Sequence, residues 1–399
     1  MSLKQQEAVR ARWFVLGVFL LSSAINYLDR QTLATLGPLI RGEFRLTNEQ
    51  FGEVISVFSI AYSLAAPLMG LLIDRFGLNL IASLAVGAWS FAGIATGFTR
   101  GLTGLMGCRT ALGMAESAGI PAAGKAIDQF LKPAERAIGN AMNQAGVSLG
   151  LIAAPPLALW MAGRYGWRHA FLVTGLLGLC WIPMWNLAAR IAPTALAPKT
   201  NLGASKALLR DPRLWAFVAA NALTMFGYSL WSNWTTFYFT DVQHLPIVLA
   251  SPYVLLAFTF AAGGGFAGGW LSARQIARGV APPAARFRAC IVGAALSLVT
   301  VAIPAAHTPV WGAAAISLSF FAVSAMSVNV YSLPLDTFGR RHAAFSIAAL
   351  VASYGAMQVV VSPLIGHMID AHQWTPIMWA ATLTPALACA VLWTVRPPA

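Results

Sequence analysis

The sequence predicts an all-α membrane protein in which twelve transmembrane helices form two halves of six, with both termini in the cytoplasm. Three observations predict this class: the composition, the recurrence of long apolar segments and the distribution of basic residues. Of the 399 residues, 58% are hydrophobic and only 10% are charged, whereas soluble domains carry about 25% charged residues. Most of the surface must therefore face lipid, which excludes a soluble protein of several domains.

Apolar segments long enough to cross a bilayer recur through the whole chain. A spanning helix needs about 20 mostly apolar residues, and breaks at charges and at Gly/Pro turns separate twelve such segments. The apolar run that follows the first twelve residues is too long for the core of a signal peptide, so the first span is predicted to be retained. The predicted spans lie near 13–38, 50–73, 78–98, 102–127, 137–162, 168–190, 213–240, 247–271, 287–306, 310–335, 343–368 and 374–395.

The longest gap between spans follows span 6 and divides the chain. It reads IAPTALAPKTNLGASKALLRDP, and a segment so rich in Pro, Ala and Lys cannot bury a core. The sequence therefore predicts an N-terminal six-helix half over 1–190, a central cytoplasmic linker over 191–212 and a C-terminal six-helix half over 213–399. Two such halves are typical of an alternating-access carrier whose substrate site lies between them.

The basic residues predict the orientation of the chain. With both termini in the cytoplasm, every Lys and Arg outside the spans lies on the cytoplasmic side, except for five on the outer side. This asymmetry follows the positive-inside rule, and it explains the net charge of +13 as attraction to anionic headgroups without any nucleic-acid partner. The five outer residues are Arg41, Arg45, Arg100, Arg164 and Arg168.

Cysteine and histidine give no indication of a metal, a cofactor or a catalytic centre. The four cysteines fall inside apolar spans at no metal-like spacing, where they act as small apolar side chains. The six histidines are scattered near span ends, whereas a membrane enzyme should show clustered His, Asp or Cys at one interface. An integral membrane enzyme is therefore a remote alternative, and we expect neither catalytic nor metal-binding residues.

The loop between spans 2 and 3 carries a motif of known type. GLLIDRFG, from Gly70 to Gly77, resembles the G-x-L-x-D-R-x-G signature of the major facilitator superfamily. The corresponding loop between spans 8 and 9 has Ala273 where the acid would fall. The resemblance implies the major facilitator fold and a conformational gate formed by Gly70, Asp74 and Arg75, with the two charged residues holding the cytoplasmic side when the carrier faces outward.

Five further motifs occur in order along the chain. They read INYLDR, CRTALGMAESAGIPAAGKAI, GWRHAFLVTGLLG, GGGFAGGWLS and VNVYSLPLDTF. Together they resemble the anion:cation symporter family of that superfamily, with hexuronate and sugar-acid carriers as the nearest members. The resemblance implies that Asp29 and Glu116 take part in proton coupling, that Arg30 binds the substrate carboxylate, and that Tyr27 and Tyr62 occupy binding positions.

The residues themselves place charged groups at one level of the bilayer. From a helix rise of about 1.5 Å per residue, Asp29 and Arg30 lie about 25 Å from the cytoplasmic end of span 1, and Arg109 lies about 10 Å below the outer end of span 4. Glu116 follows Arg109 by two helical turns and shares its face. An ionisable residue inside a span is costly and normally faces a cavity or a partner.

Adjacent residues on a helix point about 100° apart, so Asp29 and Arg30 cannot face the same way. We expect Arg30 to face the central cavity, where its planar fork suits a carboxylate, and Asp29 to face a neighbouring helix carrying Arg109. Burial disfavours a carboxylate while a nearby arginine favours it, so Asp29 and Glu116 suit proton carriage. The alternative is that these groups are ion pairs that only hold helices together.

Neutral polar side chains inside the spans complete the predicted substrate site and could bind hydroxyl groups. Each of them could instead form a hydrogen bond between helices. The predicted substrate-binding residues, in addition to Arg30, are Tyr27, Tyr62, Gln144, Asn233, Trp234, Asn329, Tyr354 and Gln358.

The function predicted from these features is secondary active transport. We expect proton-coupled symport of an organic anion, a hexuronate or an aldonate, by alternating access, with a small carboxylate substrate, protons and the lipid bilayer as partners and a monomer as the functional state. The predicted location is the cell membrane, specifically a bacterial inner membrane. An exchanger or exporter of another carboxylate without net proton coupling is the alternative within the same class.

Overall fold

The computed structural model describes residues 3–131, 135–191, 208–339 and 343–395. Within these ranges the chain is almost entirely helical and contains no β-strand, which confirms the predicted all-α class. Eleven of the described helices are long and apolar enough to cross a membrane. The predicted linker 191–212 falls largely on residues 192–207, which lie outside the described part of the chain.

The described residues form thirteen α-helices, and two of these continue into short segments of different winding, a π-helical turn over Tyr238–Val242 and a 3₁₀ segment over Leu298–Ala305. The helices are α1 Leu3–Phe44, α2 Asn48–Phe76, α3 Leu78–Thr96, α4 Leu102–Glu116, α5 Gly119–Phe130, α6 Arg136–Tyr165, α7 Trp167–Ala188, α8 Pro212–Phe237, α9 Ile247–Ala277, α10 Pro282–Ser297, α11 Pro309–Phe338, α12 Ala343–Asp370 and α13 Trp374–Thr394.

The predicted span over 102–127 is interrupted, because the structure divides it into α4 and α5. Pro121 lacks the N–H that would bond the carbonyl of Ser117, and its ring crowds that carbonyl. The Ser117 hydroxyl donates to the Met114 carbonyl at 2.7 Å, a local bond of the kind that bends helices. Neither α4 nor α5 alone reaches the length of a span.

The described helices form two compact units. The first contains the chain up to Leu46 and from Glu53 through α7, and the second contains Thr47–Gly52 together with the chain from α8 onward. In the first unit α1 packs against α6 and α7, and α3 packs against α4 and α7. Trp181 and Trp185 stack with ring centroids 5.7 Å apart, and Trp181 Nε1 donates to the Val18 carbonyl at 2.7 Å, which fixes α7 to α1.

In the second unit α9 lies along α11, and α8 contacts α11, α12 and α13. Asp211 caps α8 by accepting the Arg213 backbone N–H at 2.9 Å. The hydrogen bond from the Arg213 guanidinium holds the pKa of the Asp211 carboxyl below its usual range, because it stabilises the charged form.

The residues Thr47–Gly52 belong to the second unit for an identifiable reason. The Asp370 carboxylate, at the end of α12, accepts the backbone N–H groups of Asn48 and Glu49, both at 3.0 Å. It also accepts the Asn48 side-chain amide at 2.8 Å. A carboxylate at this position satisfies N–H groups that the first turn of a helix otherwise leaves unpaired.

Candidate functional site

Arg30 of the first unit is held by three aromatic rings and remains partly open. The Cζ atom lies 5.1 Å from the Tyr27 ring centroid, 4.8 Å from that of Phe58 and 5.2 Å from that of Tyr62, within the range of cation–π attraction. The side chain of Arg30 is 27% exposed. Tyr27 and Tyr62, both predicted to bind substrate, thus lie beside Arg30. Phe58 was missed, although it precedes Tyr62 by one helical turn on the same face of α2.

Glu116 is the ionic partner of Arg30. Its Oε2 accepts both Nε and Nη2 of Arg30, at 3.1 and 2.7 Å, and its side chain is fully buried. Gly113 allows this pairing, because a Cβ there would overlap the backbone carbonyl of Phe58, so α4 approaches α2 closely. Asn26, one turn before Arg30 on α1, also lies beside the Glu116 carboxyl.

Asp29 lies in a separate place from Arg30. It is only 2% exposed, and its carboxyl faces Gly93 of α3, where a Cβ would lie 3.4 Å from Oδ2. The Thr174 hydroxyl of α7 is the polar group beside it, but neither oxygen of Asp29 accepts a well-formed hydrogen bond within the described part of the chain.

The expected pair of Asp29 with Arg109 is therefore wrong. The structure shows no ion pair or hydrogen bond between these two described residues, and their interaction is electrostatic attraction over a longer distance. Arg109 is only 3% exposed, and the charges of Asp29, Arg30 and Glu116 all act on it. The reason is rotation about the helix axes, since Asp29 turns toward α3 and α7 rather than toward α4.

The second unit contains a smaller polar cluster that includes two predicted binding residues. The Asn233 side-chain amide donates to the Ser229 carbonyl at 2.9 Å and to its hydroxyl at 3.3 Å. Gln358 of α12 donates to the same hydroxyl at 3.1 Å. Ser229 was missed by the sequence analysis, although its spacing of four residues from Asn233 places both on one face of α8.

Other predicted binding residues have different surroundings. Trp234 is fully buried against Phe51 and Phe237, at centroid distances of 6.0 and 5.1 Å, so its ring is used for packing. The Asn329 amide donates to the carbonyls of Gly268 and Ala325 and thereby joins α11 to α9. Both side chains thus form contacts between helices, which was the alternative to substrate binding. Tyr354 is half-buried on α12, and Gln144 is exposed on α6.

The predicted gate residues lie at the end of α2. Asp74 forms an ion pair with Lys125 of α5 at 2.6 Å, which the sequence analysis did not identify. Arg75 lies over the ring of Phe76 at 5.3 Å. A Cβ at Gly70 would meet no atom within 4 Å, so close packing within the structure does not explain this glycine.

Eleven of the described helices are long and apolar enough to cross a membrane, and charged side chains are buried among the described helices, so this is a multi-pass membrane protein. The sequence pattern of the Major Facilitator Superfamily matches residues 19–357. The chain belongs to this superfamily, and it is a transporter rather than an enzyme.

Curated relatives extend over nearly the whole chain. The hexuronate transporter of Escherichia coli K12 is 24% identical over 96% of this chain and 94% of its own length. The probable sulfoacetate transporter SauU of Cupriavidus necator is 28% identical over 92% of this chain and 89% of its own. The D-galactonate transporter of Escherichia coli O6:H1 is 24% identical over 92% of both chains. The protein is thus related to sugar-acid transporters.

Solved structures share the fold. The crystal structure of a bacterial homologue of the human lysosomal transporter Spinster, in an inward-facing and unoccupied conformation, matches with a TM-score of 0.80 at 19% identity. The match covers 96% of both chains. At this level of identity the likeness shows the fold alone, and it confirms the major facilitator fold predicted from the motifs.

Proposed function

We propose that this protein is a proton-coupled symporter of an organic anion, most specifically a sugar acid, working by alternating access in a bacterial inner membrane. The observation that carries the proposal is Arg30: a guanidinium inside a membrane span, surrounded by aromatic rings and still 27% exposed. Such a group is costly in a membrane unless it serves a ligand or a partner. Its planar fork fits a carboxylate with two parallel hydrogen bonds.

The pairing with Glu116 supports coupling between substrate and proton. Both Nε and Nη2 of Arg30 donate to one oxygen of Glu116, so the Glu116 carboxylate occupies a donor edge that a substrate carboxylate would use. A proton on Glu116 removes its charge and weakens its hold on the guanidinium. Protonation would then release Arg30 for substrate, and deprotonation would favour departure of the substrate.

Asp29 is proposed as a second proton-carrying group, with Arg109 as the cation that acts on both acids. Asp29 is buried, and neither of its carboxyl oxygens accepts a well-formed hydrogen bond from a described residue. An isolated buried carboxylate is strongly disfavoured unless it is paired or neutralised. The Nε atom of Arg109 has no hydrogen-bond partner among the described residues. Arg109 attracts both acids electrostatically without forming an ion pair with either of these described residues.

The assignment of a sugar acid has three supports. The rings of Tyr27, Phe58 and Tyr62 around Arg30 offer flat apolar surfaces that can pack on a sugar ring, and the tyrosines add hydroxyl groups. The cluster of Asn233, Ser229 and Gln358 presents amide and hydroxyl groups suited to sugar hydroxyls. The names of the relatives, hexuronate and D-galactonate transporters, point to the same class. We propose a monomer as the working unit.

A small sulfonate is a second candidate substrate. The probable sulfoacetate transporter is 28% identical to this chain, compared with 24% for the hexuronate transporter. A sulfonate presents oxygens to a guanidinium much as a carboxylate does, so Arg30 suits both anions. The two candidate substrates differ in their hydroxyl groups. A sugar acid has hydroxyl groups that the Asn233 cluster could bind, whereas a small sulfonate such as sulfoacetate has none.

A thermal-shift panel on the purified protein tests the proposal. It compares hexuronates and aldonates with the neutral parent sugars, with sulfoacetate and with small dicarboxylates. We expect stabilisation by hexuronates or aldonates and none by the neutral sugars, because only the acids engage Arg30. Stabilisation by sulfoacetate alone would favour the second candidate, and stabilisation by neutral sugars equal to that by their acids would contradict the role of Arg30.

A further inference from the structure

The carboxyl group of Asp29 lies against a wall made by two other helices of the first unit. On α3, Gly93 has no side chain, and a Cβ there would lie 3.4 Å from Oδ2 and 3.6 Å from Oδ1. A side chain at position 93 would therefore be in van der Waals contact with the carboxyl group. On α7, the buried Thr174 lies beside the same group. Neither residue has a role in the proposed transport cycle so far.

Thr174 can respond to the charge of Asp29. Its hydroxyl donates to the carbonyl of Phe171 at 3.3 Å, which is long for a bond between oxygens. A hydroxyl has one hydrogen and two acceptor sites. When Asp29 is ionised, the hydroxyl can turn and donate to the carboxylate. When Asp29 carries a proton, the carboxyl can donate to the hydroxyl oxygen, and the hydroxyl keeps its bond to Phe171.

The described charged groups around Asp29 do not form a hydrogen bond that changes with its protonation state, as the Thr174 hydroxyl can. Glu116 and Arg109 act on it from α4, and Arg30 follows it on α1. Arg30 is bound to Glu116 at 2.7 Å, and Arg109 forms no direct bond with Asp29. Thr174 is thus the neighbouring group whose hydrogen can move between the ionised and the neutral state of Asp29 without a large side-chain motion.

We propose that Gly93 and Thr174 form a proton-binding pocket for Asp29, in which Thr174 is a positioning residue that stabilises the ionised carboxyl and Gly93 leaves the carboxyl group without a methyl contact on the side of α3. The inference rests on the proposed function in that Asp29 carries a proton during transport. The proton binds to one carboxyl oxygen, no covalent bond of the protein breaks, and the hydroxyl only changes its acceptor.

Infrared spectroscopy of the full chain in lipid vesicles, titrated with pH in the absence of substrate, tests this inference. The carboxyl band of Asp29 is the band that disappears in Asp29→Asn. In Thr174→Val, which removes the hydroxyl and keeps the shape, we expect the midpoint of that band to move to higher pH by about one unit, the effect of losing one hydrogen bond to a charged group. Thr174→Ser, which keeps the hydroxyl, should retain the wild-type midpoint.

Two further variants make the test decisive. Thr382→Val is the matched control, because Thr382 of α13 is buried and donates to the Met378 carbonyl at 2.7 Å, and its loss should leave the band unchanged. Gly93→Ala places a methyl group against the carboxylate and should also move the midpoint to higher pH. It carries the test should Thr174→Val fail to fold.

The outcomes separate this inference from the proposed function. If the Asp29 band titrates with the same midpoint in the wild type, in Thr174→Val and in Gly93→Ala, the pocket is refuted while proton carriage by Asp29 stands. A shift in Thr174→Ser as large as that in Thr174→Val would refute the role of the hydroxyl. If the Asp29 band does not titrate at all, both the pocket and the proton role of Asp29 are refuted.

Discussion

At the scale of single residues, Arg30 combines two demands that usually exclude each other. It must remain charged inside a membrane span, and it must remain available to a ligand. The rings of Tyr27, Phe58 and Tyr62 attract the cation through their faces, and these contacts leave its hydrogen-bond donors free for oxygen acceptors. Glu116 uses Nε and Nη2, so the occupied donors depend on the charge of one acid.

Replacing Arg30 by Lys tests this arrangement. Lysine keeps the positive charge beside Glu116 but lacks the planar fork. We therefore expect affinity for a sugar acid that stabilises the protein in the thermal-shift panel to fall at least tenfold, about 1.4 kcal/mol. Calorimetric titration of the purified variant measures the change. The matched control is Arg136→Lys, since Arg136 also forms an ion pair, with Asp128 at 2.6 Å, but on a more exposed surface. Equal affinity in Arg30→Lys would refute substrate binding by this residue.

At the scale of helices, some glycines of the glycine-rich run of α9 pack against α11 and others do not. A Cβ at Gly264 would overlap the carbonyl of Phe321, and one at Gly268 would overlap the carbonyl of Ala325. A Cβ at Gly269, in contrast, would meet nothing within 4 Å. Two glycines of the run therefore allow the backbones of α9 and α11 to touch, a contact typical of membrane helices.

This difference predicts opposite effects of two neighbouring substitutions. Gly268→Ala should lower the free energy of unfolding by about 1–3 kcal/mol, because the added methyl group forces the two helices apart. Gly269→Ala should be neutral or should stabilise by up to about 1 kcal/mol, because alanine loses less conformational freedom in a helix. Thermal unfolding of both variants in the same detergent measures the effects. Equal stabilities would show that α9 is not held against α11 at Gly268.

The break between α4 and α5 also acts at this scale. It places Glu116, the ionic partner of Arg30, at the last residue of α4. The chain continues into α5 after only Ser117 and Ala118, both in the right-handed helical region.

At the scale of the whole molecule, the two units carry different chemistry. The first contains the described buried charges Asp29, Arg109 and Glu116, and the second contains neutral amide and hydroxyl clusters such as that of Asn233 and Gln358. We infer a division of labour in which the first unit handles the proton and the anionic group, and the second contributes to hydroxyl recognition.

The proposed coupling predicts a specific pattern in reconstituted vesicles. Glu116→Gln removes the titrating group but keeps an oxygen that can accept from Arg30. Accumulation driven by a pH gradient should therefore collapse, while exchange of labelled substrate at equal pH on both sides should persist. Asp29→Asn should show the same pattern less strongly. The measurement follows labelled substrate and internal pH together.

Asp128→Asn is the control for this experiment, because it removes a carboxylate that is paired with Arg136 on a partly exposed surface, and it should accumulate substrate normally. Normal gradient-driven accumulation with matching proton entry in both Glu116→Gln and Asp29→Asn would show that these acids are structural partners only. The protein would then be an exchanger or exporter of an organic anion without net proton coupling.

Hydropathy and motifs were enough to predict the class of the protein. Lipid imposes a simple rule on each helix, because a spanning segment must be apolar along its length, so hydropathy locates the spans but does not show that 102–127 is divided into α4 and α5. The same rule makes Asp29, Arg30, Arg109 and Glu116 conspicuous, and motif GLLIDRFG indicated the superfamily. These features are local in the chain and need no knowledge of neighbouring helices.

Which charged groups contact one another depends on how the helices pack. Arg30 pairs with Glu116, and Asp29 turns toward Gly93 and Thr174 rather than toward Arg109. The physical reason is that contacts between helices depend on their rotation and separation, and these are set by backbone approaches such as that at Gly113. A linear sequence specifies the face on which a residue lies, but the opposing side chain belongs to a segment far away in the chain.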